Sequence, residues 1–210
     1  MLSTYLGEFA TLALVHFLAV LAPGPDFAVT IRQSVRFGRL VGTCTALGIG
    51  AGISVHVLYT LLGVGALMHA TPWLLGGAKL LGAAYILYLG ISLLRSKAKS
   101  ALPGDSPDQE PQPTAARAFV TGFLTNATNP KATLFFLAIF TTLVSATTPL
   151  AIQALYGAWM CLVNGVWFVI VALFFSSARV RSLFMRLGHW FERGMGLVLL
   201  LFAGRLLLSL

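Results

Sequence analysis

The stretch FATLALVHFLAVLAPGPDFAVTI, residues 9–31, decides how this chain folds. It opens as an uncharged apolar run from Phe9 to Ala22, meets Pro23-Gly24-Pro25, and continues past Asp26 to Ile31. A proline inside a helix removes a backbone hydrogen bond and crowds the preceding turn, at a cost of about 3 kcal/mol. In hydrocarbon such an irregular backbone is kept only where it lines a cavity or is buried in protein. The residue before a proline is pushed out of the helical region, so Gly24 reads as an N-cap and Pro25 as the first residue of a second half-helix. That half-helix starts with free N–H groups and a partial positive charge, and the one before it ends on unpaired carbonyls.

The rest of the chain has a membrane composition. Of its 210 residues 58% are hydrophobic and 10% are charged, with a mean hydropathy of +0.88; an ordinary soluble domain is about 45–50% apolar and about 25% charged. This excludes a water-soluble enzyme, a nucleic-acid binder and a disordered tail protein. At about 20 apolar residues per crossing, six spans are read. The first is the broken run just quoted. The second is Leu40 to Leu67, without a charged residue, and the third is Pro72 to Leu94, which contains Lys79. The fourth is Phe119 to Val144, the fifth Pro149 to Ser176 and the sixth Leu187 to Leu208. Runs this long are helices, since barrel strands are far shorter. Between the third and fourth, Arg95 to Arg117 holds four of the nine prolines and three of the six acidic residues, a solvated linker. Three parts follow: residues 1–94, the linker 95–117, and residues 118–210. The first basic residue is Arg32, so no basic leader precedes the first run, which is expected to be retained.

The formal charge of +8 is an orientation signal. Arg32, Arg36 and Arg39 lie in the first loop, Arg95, Lys97, Lys99 and Arg117 in the third, and Arg179, Arg181, Arg186 and Arg193 in or beside the fifth. Eleven of the fourteen Lys and Arg thus share one side, the others being Lys79, Lys131 and Arg205 within spans. Basic residues collect on the cytoplasmic side, which places both termini outside, with anionic headgroups as counterions rather than nucleic acid.

A repeat is readable. Gly82, Gly90, Leu93 and Leu94 recur 114 residues later as Gly196, Gly204, Leu207 and Leu208, and Pro25 is matched 105 residues on by Pro130 within Asn129-Pro130-Lys131. Two copies of three spans must enter the membrane in opposite senses. The fold expected is therefore an all-α membrane protein of six transmembrane helices in two inverted three-helix repeats, with a site between the halves and alternating access by rocking one on the other. Asn129 then caps a half-helix as Gly24 does. Gly48, Gly50 and Gly52 follow no strand and precede no P-loop lysine, so they are no nucleotide motif; Gly48 and Gly52 suit close helix packing.

The polar residues at these depths are the site candidates. Asp26 is either a first-turn carboxylate complementing a helix dipole or one that exchanges a proton or grips an ammonium. Lys131 holds the matching place in the second half, pairing with Asp26, with a substrate carboxylate, or as a lock between halves. Asn126, Asn129 and Asn164 can bond a ligand or another helix. His16 and His56 either relay protons or are satisfied buried histidines. Lys79 snorkels to the outer face, and Glu192 with Arg193 marks the inner end of the last span. One half-helix end suits a carboxylate and the nearby carbonyls an ammonium, which together describe a zwitterion.

At this point the chain resembles the LysE/RhtB translocators. The matching pieces are Val15-His16, Ala22-Pro23-Gly24-Pro25-Asp26-Phe27, Leu124-Thr125-Asn126-Ala127-Thr128-Asn129-Pro130-Lys131-Ala132, and Gly82-Ala83-Ala84-Tyr85-Ile86-Leu87-Tyr88-Leu89-Gly90. Within the family the likeness is to the threonine and homoserine efflux subgroup, on the aspartate after the second proline and the Leu-Thr-Asn lead-in. The resemblance implies export of neutral or basic amino acids across the bacterial inner membrane, driven by the proton-motive force. It implies no cofactor and no resident metal. Substrate and proton contacts are expected at Asp26, Lys131, Asn129, Asn126, Gly24, Pro25, Pro130, His16 and Asn164, and a homo-oligomer stays open. The competing readings are a thiol-redox carrier using Cys44 and Cys161, a passive channel, and an exporter of metal ions or of another small metabolite. The two cysteines stand among Ala, Leu and Gly with no activating charge, which favours inert thiols.

Overall fold

The computed structural model describes residues 2–70, 72–97, 111–145 and 147–208. These form eight α-helices: α1 (Leu2–Leu21), α2 (Pro25–Phe37), α3 (Arg39–Ala70), α4 (Pro72–Leu94), α5 (Ala115–Ala127), α6 (Pro130–Thr142), α7 (Leu150–Phe175) and α8 (Ala178–Leu208). The described residues contain no strand. Residues 98–110 of the expected polar linker lie outside the described residues.

Among the described residues, three stretches are long and apolar enough to cross a membrane, Arg39–Gly63, Gly76–Leu94 and Leu150–Phe175. The pair Tyr5–Leu21 and Pro25–Phe37, bent by 52°, makes a fourth when taken as one span. The polar and apolar faces are arranged as hydrocarbon requires. Leu62, Leu81 and Leu201 are exposed while His16, His56, Asn126 and Thr45 are buried, because a hydroxyl or amide turned to lipid would find no partner.

Helix ends follow local chemistry, and three differ from the sequence reading. α1 begins at Leu2, ahead of Phe9. α5 begins at Ala115, inside the expected linker, because the Thr114 hydroxyl accepts from the Arg117 N–H and caps it. α8 begins at Ala178, since Arg179, Arg181 and Arg186 continue the helix where their charge suggested a loop. Between α2 and α3 the chain turns at Gly38, whose φ of 86° lies in the left-handed region that glycine adopts without strain.

α3 is the central element, packed extensively on α5 and α7 and flanked by α2. Its approach to α5 leaves no room for side chains. A Cβ on Gly48 would run into the Phe119 carbonyl oxygen, and one on Gly122 into that of Thr45. Backbones pressed this closely gain dispersion energy along their length, which substitutes for the weak hydrophobic drive between helices in lipid. A second group joins α4 to α8 and α6. Apart from α2 on α3, these interfaces join residues 1–94 to residues from 115 onward, so the two parts interlock. Two apolar clusters result: one around Leu12, Ile86, Phe136, Ile139 and Leu199, the other around Phe27, Ile31, Ile49, Phe168 and Phe175. α1 is tied down near its start by Glu8, whose carboxylate accepts from the Ser145 N–H at 3.1 Å and the Thr148 hydroxyl at 3.0 Å in the α6–α7 loop.

Candidate functional site

Two helix breaks face one another where the clusters meet. The first separates α1 from α2, with Gly24 extended at the N-cap and Pro25 at the first helical position. The second separates α5 from α6, with Asn129 at the N-cap and its Oδ1 accepting from the Lys131 N–H at 3.0 Å. Pro130 has no N–H, so the Asn126 carbonyl four residues earlier loses its helical donor. The Asn129 N–H takes that carbonyl at 2.8 Å, and His56 Nε2 donates to it from α3, also at 2.8 Å.

The side chains cross between the breaks. Asp26, the second residue of α2, reaches the stub of α5: its Oδ2 accepts from Asn126 Nδ2 at 2.9 Å and from Asn129 Nδ2 at 3.1 Å. Lys131, the second residue of α6, reaches the end of α1: its Nζ donates to the Ala22 carbonyl at 2.8 Å. The carboxylate thus stands on the positive end of α2 and the ammonium on the negative end of α1, both favourable to helix dipoles. Lys131 and His56 are also within electrostatic reach of Asp26.

A cavity of about 50 Å³ lies at this crossing. Seven of the nine expected site residues line it: His16, Gly24, Asp26, Asn126, Asn129, Lys131 and Asn164. Pro25 and Pro130 are not on its wall; they set the backbone that opens it. Apolar residues complete the lining, among them Ile53, Phe135, Phe136 and Phe168. Of the seven buried side-chain polar atoms without a hydrogen-bond partner among the described residues, three belong to this wall: Asp26 Oδ1, Asn126 Oδ1 and His16 Nδ1. Such atoms are rare in folded proteins and call for an explanation.

Other polar candidates stand apart from the cavity. Glu192 accepts from the Ser96 hydroxyl, and Arg193 Nε donates to the Ser96 carbonyl at 3.0 Å, fastening α8 to the end of α4. Cys44 and Cys161 are free thiols, half-buried on α3 and α7, and neither lines the cavity.

Three residues brace the α5–α6 break: His56, read from sequence as a proton relay or a satisfied buried histidine, and Tyr59 and Tyr85, which were not read as site residues. His56 Nδ1 lies 3.0 Å from the Tyr59 hydroxyl, which donates to the Thr133 carbonyl at 3.1 Å, and the Tyr85 hydroxyl donates to the Lys131 carbonyl at 3.0 Å. The signal for His56 was Pro130 itself, which takes the helical donor from the Asn126 carbonyl; no comparable signal marks the Thr133 and Lys131 carbonyls that the tyrosines bond. His56→Leu removes a hydrogen bond that is worth about 1 kcal/mol net, more where a buried group is left unpaired. In detergent it should lower the melting temperature by a few degrees, and a double-mutant cycle with Tyr59→Phe should show coupling of at least about 0.5 kcal/mol. Strict additivity in that cycle would disprove the brace.

A family model described as LysE type translocator matches residues 17–210. The threonine efflux protein of Salmonella typhi is 31% identical, over 93% of this chain and 94% of its own length. The threonine efflux protein of Escherichia coli K12 is 30% identical over the same shares. An uncharacterized membrane protein of Pseudomonas aeruginosa is 32% identical over 89% of this chain and 83% of its own. No solved structure matches the chain.

Proposed function

This chain belongs to the LysE type translocator family, and we propose that it exports small neutral amino acids across the bacterial inner membrane by proton-coupled alternating access. It is a membrane transporter and not an enzyme. The observation that carries the finer reading is the crossing of Asp26 onto Asn126 and Asn129 and of Lys131 onto the Ala22 carbonyl, around one cavity.

A zwitterion matches that crossing. The substrate ammonium takes Asp26 Oδ1 and Asn126 Oδ1, two acceptors on the cavity wall with no donor among the described residues. The carboxylate takes the Lys131 ammonium and the first N–H groups of α2, which no side chain caps. A proton on Asp26 weakens its hold on the ammonium, so protonation from one side and deprotonation on the other give the exchange a direction. Acidic groups at membrane depth commonly serve in this way.

The cavity supports a cycle of conformations. At about 50 Å³ it has room for a few waters, each needing about 10–15 Å³ on this measure. We infer that the helices part further to admit an amino acid. We place the six spans in two inverted repeats, residues 1–94 and 118–210, with both termini periplasmic. The units that rock are the packed groups α2, α3, α5, α7 and α4, α6, α8, each built from both repeats, and the two breaks are their hinges.

Counterflow in proteoliposomes with a panel of labelled amino acids, under an imposed pH gradient, tests this. Saturable, uphill movement of small neutral amino acids that collapses with the gradient is expected. Flux that never saturates and never runs uphill is the behaviour of a passive channel and defeats the reading.

A further inference from the structure

The unpartnered nitrogen of His16 has a fixed identity. Asn164 Nδ2 donates to the Met160 carbonyl at 2.9 Å, and a carbonyl accepts only from the amide's nitrogen, so the Asn164 side chain has one orientation. The second hydrogen of that nitrogen points to His16 Nε2 at 2.8 Å, which must therefore accept it. The ring proton is left on Nδ1. His16 is 1% exposed, and its Nδ1 has no partner among the described residues. A second ring proton on Nε2 would face a donor, so in this arrangement His16 is a neutral donor and not a relay.

The lining of the cavity is of two kinds. At the breaks stand Asp26 and Lys131, where a substrate's charged groups belong. His16 stands on α1 six residues before Ala22, about 9 Å along a helix at 1.5 Å per residue. Around it lie Phe135, Phe136 and Trp159, with ring centroids at 6.1, 6.2 and 5.5 Å. A single uncharged N–H among aromatic rings suits a neutral oxygen at the tip of a side chain, and a buried donor left unpaired is costly.

We propose that His16, held in its Nδ1–H form by Asn164, is the specificity-determining residue, donating to a side-chain hydroxyl and so selecting short hydroxyl-bearing amino acids over their aliphatic isosteres. This rests on the reading of the cavity as an amino-acid site. A site built to hydrogen-bond a hydroxyl rejects the analogue lacking it strongly, whereas an apolar pocket does not.

The test compares export of L-threonine with that of its isostere L-valine in proteoliposomes. The unmodified chain should favour threonine by at least about tenfold, and His16→Leu should bring the ratio close to one, with threonine transport falling far more than that of valine. Asn164→Asp places an acceptor against Nε2, draws the ring proton there, and should likewise erase the preference. Nitrogen-15 spectra of histidine-labelled protein in detergent should report Nδ1–H for His16 in the unmodified chain and Nε2–H in Asn164→Asp, whether or not the variants transport. A threonine preference that survives His16→Leu, a loss shared equally by both substrates, an unmodified chain that exports both alike, or an Nε2–H signal in it would each overturn the proposal. A chain that exports no amino acid at all would instead remove the site reading beneath it.

Discussion

Asp26→Asn is expected to reduce uphill export driven by a pH gradient on the order of a hundredfold, while the protein still inserts and elutes as a single folded species. The fold survives because the substitution is isosteric. With its remaining oxygen turned to Asn126 and Asn129, the new amide keeps both hydrogen bonds that Oδ2 accepts now, at 2.9 and 3.1 Å. Function does not survive, for two reasons. The amide nitrogen replaces the open oxygen and offers donors where an ammonium needs an acceptor. It also carries no exchangeable charge at neutral pH. The interaction lost is a hydrogen bond to a charged group, worth about 1.5–3 kcal/mol, and tenfold corresponds to about 1.4 kcal/mol. Binding alone thus accounts for one to two powers of ten, and loss of proton exchange removes the gradient's drive altogether. Full uphill export by this variant in proteoliposomes would remove Asp26 from the coupling step.

Gly48→Val is expected to abolish accumulation of folded protein. The new Cβ collides with the Phe119 carbonyl oxygen and crowds the Phe123 nitrogen at 2.9 Å. Overpacking a core usually costs about 1–3 kcal/mol because side chains can turn aside; here the obstacles are backbone atoms of α5, and only separation of the helices relieves them. That separation would also withdraw Asn126 from Asp26, since Gly52, one turn along α3, lies against the Asn126 Cβ. Gly7→Ala and Gly63→Ala are the controls: nothing lies within 4 Å of a Cβ at either position, and removing a glycine from a helix gains about 0.5–1 kcal/mol. Monodisperse yield and melting temperature in detergent measure all three. A Gly48→Val protein that melts with the unmodified chain would show the α3–α5 register to be wrong.

Legibility divides along the range of the interaction. The breaks were readable because proline acts on its own residue and the turn before it, so α1 stops at Leu21 and α6 starts at Pro130 where Pro23-Gly24-Pro25 and Asn129-Pro130 require. The start of α8 was not, because Arg179, Arg181 and Arg186 look alike by charge whether they sit in a loop or on a helix at the membrane edge. The choice between the two readings of His56 stayed open for a different reason: its partner is a backbone carbonyl 70 residues away, and nothing in the local sequence of α3 announces it.

The sequence by itself determined that this is an all-helical membrane protein with two proline-made stubs and a small set of polar side chains near them, since hydropathy, proline geometry and helix caps depend only on neighbours along the chain. Tertiary structure alone decided that Asp26 meets the asparagines of the other break, that Lys131 caps the carbonyl end of α1, and that Asn164 leaves the proton of His16 on Nδ1. Those outcomes join residues 100 to 148 positions apart, and each hydrogen bond depends on where the packing of separate helices brings a donor to an acceptor.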